Sequence, residues 1–64
     1  MSHSCTKYLA EAIELFQELE RLSNEARSQC SHEKCQLLFG MILDSSFKFE
    51  AEASSVLQDL IPKE

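Results

Sequence analysis

The chain has 64 residues, 44% hydrophobic and 27% charged, with a formal net charge of -5. It is too apolar for a disordered segment, too short for more than one domain, and short enough that its own core is marginal, so residues 1–64 are read as one unit. The acidic balance, with Lys7, Arg21, Arg27, Lys34, Lys48 and Lys63 scattered along the chain, argues against nucleic acid and against an anionic membrane surface as partners.

One Gly and one Pro leave little turn material for an all-β fold. No apolar run approaches the ~20 residues of a membrane span. The start, Met1-Ser2-His3-Ser4-Cys5, lacks the basic and apolar regions of a secretory signal. An odd count of three cysteines then points to reduced thiols in a cytoplasmic protein rather than a disulfide framework.

From about Cys5 to Arg27 the pattern is helical, with Ser2, Ser4 or Thr6 as caps. Cys5, Tyr8, Ala12, Leu15, Leu19, Leu22 and Ala26 follow a 3-4 spacing, and Leu9, Ile13 and Phe16 widen that stripe. Glu11, Glu14, Gln17, Glu18, Arg21 and Glu25 fall mostly on the other side, with Glu20 at its flank. Ser28-Gln29-Cys30-Ser31-His32 breaks the period, and Ser31 followed by Glu33 reads as a helix cap with a favourable first-turn charge. So short a connection makes the flanking helices antiparallel neighbours.

A second helical pattern runs from Glu33 to Leu60. Phe39, Ile42, Ser46, Phe49, Ala53, Val56 and Leu60 form its stripe, and Pro62 ends it ahead of the tail residues Lys63 and Glu64. Asp44-Ser45-Ser46 is its weak point, because these side chains compete for backbone hydrogen bonds. The stripe keeps its phase across them, which favours one continuous helix; a third short helix after Asp44 is the alternative. The run Leu37-Leu38-Phe39-Gly40-Met41-Ile42-Leu43 is apolar on every side. A buried strand would also suit such a run, but nothing else in the chain alternates with period two to pair with it.

Cys30-x-His32-x-x-Cys35 gathers three soft ligands at the turn, with His3 and Cys5 one helix length away. Zinc sites use four ligands in close-set pairs, so a structural zinc-binding helical module is only an alternative. A Cys30 or Cys35 nucleophile with His32 as base would need a pocket that a hairpin does not offer, and no enzyme activity, cofactor or small-molecule substrate is expected. Neither histidine has a Glu three places before it, so no di-iron motif is present. The carboxylates, Glu50 and Glu52 included, read as a solvated face, or as a surface that meets a basic partner.

Tyr8-Leu9-Ala10-Glu11-Ala12-Ile13-Glu14-Leu15-Phe16 resembles the amphipathic helices of tetratricopeptide repeats and of microtubule-interacting-and-trafficking domains. The repeat reading needs recurrence about 34 residues on, which is absent. In size, acidity and hairpin layout the chain is also similar to the small co-chaperones that hold type III secretion needle subunits, which implies a protein-binding role.

The sequence therefore predicts an all-α antiparallel two-helix hairpin, with helices near 5–28 and 32–61, packing into a helical bundle with a protein partner or a second copy. Leu38, Ile42, Phe49 and Leu57 are expected to face the first helix. Leu37, Met41, Leu43 and Phe47 are left without cover and are the expected partner-binding residues. The expected function is a non-enzymatic interaction module, an adaptor, co-chaperone or assembly subunit.

Overall fold

A computed structural model of the chain describes the backbone of residues 2–61 and the side chains of residues 5–61. The candidate caps Ser2 and Ser4, the candidate ligand His3, and the Pro62 stop with its tail lie outside the described side chains. Two helices make up the fold: α1 (Ser2–Gln29) and α2 (Glu33–Leu60), 28 residues each. They lie side by side in a hairpin 47 Å long and 14 × 13 Å across. No strand occurs among the described residues.

Each helix forms for the reasons its composition gives. α1 is built from good helix formers with no Gly or Pro, and Arg27 sits in its last turn, where a cation complements the macrodipole. Arg21 adds exposed ion pairs to Glu18 at 3.0 Å and Glu25 at 3.4 Å. Such exposed pairs are screened by solvent and add little. α2 runs through Asp44, Ser45 and Ser46 unbroken, so among the described residues no separate third helix follows Asp44.

The turn departs from the expected capping. His32, in extended conformation (φ -80°, ψ 124°), takes the N-cap position of α2 in place of Ser31, and no side chain caps that end. Instead the Gln36 side chain reaches back and its Nε2 donates to the Cys30 carbonyl at 2.6 Å, closing the loop across residues 30–32. The Cys30 N–H donates to the Ala26 carbonyl at 2.8 Å and so prolongs α1 by one bond. Among the described residues none takes a positive φ, so the turn is made with ordinary backbone and without glycine.

The seam on α1 is rotated to one side of the expected stripe, keeping Ala12 and Ala26 and the widening residues Leu9, Ile13 and Phe16. Leu9, Ala12, Ile13, Phe16, Glu20, Ser23 and Ala26 are buried or half-buried, while Tyr8, Leu15, Leu19 and Leu22 are exposed. On α2 the seam side holds Cys35, Phe39, Ile42, Leu43, Ser46, Glu50, Ala53, Leu57 and Leu60. The expected inward residues Ile42 and Leu57 are on it, but Leu38 and Phe49 are half out, at 53% and 52% exposure. Leu43, expected outside, is the reverse: it is 8% exposed and is the one buried hydrophobic residue among those described.

Register is set by pairs along the rod. The Phe16 and Phe49 rings stack with centroids 6.2 Å apart and planes at 21°. Gln17 Nε2 donates to Glu50 Oε2 at 2.9 Å. Gly40 lies beside Arg27, whose Nε is the nearest atom to where a Cβ would stand, at 3.8 Å. That is ordinary contact, so alanine fits there. Gly40→Ala removes the entropy cost of a mid-helix glycine and is expected to stabilise the hairpin by about 0.5–1 kcal/mol. A thermal melt followed by circular dichroism reads this directly, and a lowered midpoint would show that the helices touch more closely at Gly40.

Candidate functional site

Large apolar side chains are concentrated on one face of the hairpin. From α1 come Tyr8, Leu15, Leu19 and Leu22, spaced seven, four and three residues apart and therefore on one side of the helix. From α2 come Leu38, Met41, Phe49 and Val56, on the flank that meets them. Leu15 is 69% exposed and Met41 66%. Between the two rows runs an open groove of about 360 Å³ lined by Phe16, Leu19, Leu38, Met41, Ile42, Ser45, Ser46 and Phe49. A second depression of about 540 Å³, beside the turn, is lined by Asn24, Arg27, Ser28, Gln36 and Leu37. It is the larger, but four of its five lining residues are polar, whereas the groove is lined mainly by apolar side chains, so the groove is the better candidate site.

The expected partner-binding set does not share this face. Met41 lies on the groove. Leu43 is in the seam and cannot offer a contact. Phe47, 54% exposed, stands roughly 120° around α2 from Met41 at 3.6 residues per turn, beyond the opposite flank. Leu37 is exposed near the turn, against the polar depression. Sequence reasoning missed Tyr8, Leu15, Leu19 and Leu22 as outer residues because their regular spacing read as core.

Beneath the groove the seam is polar. Glu20 is 9% exposed, Ser46 3% and Ser23 0%. Glu20, expected at the flank of a solvated face, is packed against Glu50 of α2. Burial, together with the hydrogen bond to the Glu50 carboxylate and its negative charge, pushes the Glu20 carboxyl up to about 7. Glu50 moves down, because Glu20 and then Gln17 donate hydrogen bonds to it. Below about pH 7 the two carboxyls hold one proton between them, on the Glu20 side. Glu20 Oε2 and Ser23 Oγ have no protein hydrogen-bond partner.

The soft ligands do not assemble. Among the described residues no trio of His, Cys, Asp or Glu side chains lies close enough to hold a metal ion. Cys30 and Cys35 are half-buried neighbours and both are free thiols. The hydrogen bond to Cys30, the charge Cys30 would carry, and burial all raise the Cys35 thiol. That is opposite to the shift that activates a nucleophilic cysteine. Among the described residues no helix is long and apolar enough to cross a membrane.

Compared with protein-family models, with curated proteins and with solved structures, the chain matches none.

The acid pair makes stability depend on pH. The folded Glu20 binds its proton more tightly than the unfolded chain does, so its contribution is complete below about 4.5 and is lost as pH rises through about 7. Glu50 has the opposite sign: its contribution is present above 4.5 and is lost as pH falls through its lowered value. The hairpin is therefore expected to melt at a lower temperature at pH 8.5 than at pH 5.5. Glu20→Gln keeps the donor to Glu50 and should flatten that difference; an unchanged pH profile in Glu20→Gln would show that the pair is not its source.

Proposed function

We propose that the chain is a non-enzymatic protein-interaction module that binds through the face formed by Tyr8, Leu15, Leu19 and Leu22 of α1 with Leu38, Met41, Phe49 and Val56 of α2. One observation carries this reading: the hairpin buries serines and a carboxyl in its own seam and leaves Leu15, Leu19, Leu22 and Leu38 exposed on one face. Each large apolar side chain left exposed forgoes about 1.5–3 kcal/mol, so eight of them together are a reservoir that only a further surface can use.

The total surface supports the same reading. The chain exposes 5016 Å². A compact monomer of 7.3 kDa exposes about 4,200 Å², and the excess reflects a rod in which each helix is covered on one side only. An adaptor, a co-chaperone for a helical client and an assembly subunit all use such a face, and the resemblance to type III secretion needle co-chaperones belongs to this class. The acidic charge and the lack of a basic patch weigh against nucleic acid.

Sedimentation from micromolar to millimolar concentration, run beside titration with a dye that fluoresces on apolar surfaces, tests the reading. The chain is expected either to self-associate or to remain monomeric and bind the dye. Leu19→Glu and Met41→Glu should abolish that behaviour with the helical circular dichroism retained. Leu43→Glu should instead unfold the hairpin, since it places a carboxylate in the seam. A monomer that binds no dye at any concentration would overturn the proposed interface.

A further inference from the structure

Two thiols close the seam at the turn. The Cys30 N–H continues the bonding of α1 to the Ala26 carbonyl, so Cys30 stands one turn beyond Ala26 on the seam side. Cys35, in the first turn of α2, stands one turn before Phe39 on the seam side of that helix. Only residues 30–32 separate the helices, and the side chain of Gln36, next in the chain to Cys35, is tied to the Cys30 carbonyl at 2.6 Å. The connection therefore brings the two cysteines against each other. Both are half-buried, and the Cys35 S–H donates a hydrogen bond to the Cys30 sulfur. Cys5 is exposed near the opposite end of α1 and takes no part.

We propose that Cys30 and Cys35 form a reversible oxidation site, which a small disulfide such as oxidised glutathione converts into an intramolecular disulfide that staples the closed end of the hairpin. The inference is independent of what binds the apolar face. The Cys30 thiolate attacks one sulfur of oxidised glutathione, forming a mixed disulfide and releasing one glutathione thiolate. The Cys35 thiol gives its proton to solvent and attacks the Cys30 sulfur, releasing the second glutathione. The two protein thiols lose two electrons and two protons, and one oxidised glutathione becomes two reduced ones. Excess reduced glutathione runs the same steps backwards. The cross-link restricts the unfolded chain, whereas in the folded hairpin the sulfurs already touch, so it favours the folded form. A chain whose own core is marginal is the kind that such a staple stabilises most visibly.

The intact chain, and Cys5→Ser beside it, are treated with excess oxidised glutathione at pH 8, quenched with an alkylating agent and digested with trypsin. Cleavage after Arg27, Lys34 and Lys48 places the two cysteines on separate peptides. Ser28–Lys34 and Cys35–Lys48 are expected as one disulfide-linked species that a reductant parts. The oxidised chain should melt about 10 °C above the reduced one, a difference kept in Cys5→Ser and absent from Cys30→Ser and Cys35→Ser. By linkage, the folded chain should hold the disulfide at an oxidised-to-reduced glutathione ratio about ten-fold lower than the same chain in strong urea. Glutathione retained on Cys30 or Cys35 without closure would overturn the site. So would equal ease of closure in the folded and urea-unfolded chains, which would mean that the fold does not bring the thiols together. A closed disulfide that leaves the melting point unchanged or lower would overturn the staple.

Discussion

Glu20, Ser23, Ser46 and Glu50 occupy the middle of a helix–helix seam, where a hairpin of this length has most to gain from leucine. Their presence there has two physical consequences. Small residues, Ser23 and Ser46 together with Ala12, Ala26 and Ala53, take up seam positions, so fewer large side chains lie between the two helices. And a carboxyl taken out of water beside a second carboxyl is tolerable only if one of them keeps its proton, which is what lifts Glu20 to about 7 while Gln17 supports the charge on Glu50. A buried hydroxyl without a partner, as at Ser23, costs about 1–3 kcal/mol. A chain folded for maximal stability as an isolated monomer would not keep these groups at this position.

What they do provide is a rotation. With the seam centred on Phe16, Glu20 and Ser23, the row Leu15, Leu19 and Leu22 is turned to the flank, and the matching rotation of α2 brings Leu38, Met41, Phe49 and Val56 to the same side. The hairpin is amphipathic as a unit, with an apolar face, and a back that bears Glu14, Glu18, Arg21 and Glu25. Rolling each helix to bury the leucines would enlarge the core and abolish the face. The polar layer opposes that roll, because it would carry Glu20 and Glu50 away from each other and from Gln17.

The elements themselves were legible from the amino-acid order. Long 3-4 periods without Gly or Pro specify α1 and α2, the small polar residues between them specify the turn, and the unbroken phase across Asp44-Ser45-Ser46 specifies one second helix rather than two. Orientation about the helix axis was not legible. α1 carries two apolar rows, Tyr8-Leu15-Leu19-Leu22 and Leu9-Ile13-Phe16, and a period of 3.6 fits both; which one meets α2 is a tertiary choice. The larger row reads as core because leucine usually is core. The other row is flanked by small residues, and Ser23 on α1 and Ser46 on α2 are both buried in the seam. Leu43 was misplaced for a related reason: inside a run that is apolar on all sides, periodicity gives no direction.

Register follows from the same polar layer. Apolar side chains slide past one another at small cost, since one leucine contact replaces another, and two smooth antiparallel helices could shift by a turn without much loss. Here a shift of one turn would carry Glu50 away from both Gln17 and Glu20, leaving a carboxyl opposite Ser46 or Ser54 and separating the stacked Phe16 and Phe49 rings. Unpairing a buried carboxyl is costly in a way that unpairing a leucine is not. The layer therefore holds α1 and α2 in one alignment, and with it the relative heights of Leu19 and Met41 on either side of the groove. The spacing of the groove's apolar side chains is thus fixed by the polar layer beneath and beside them.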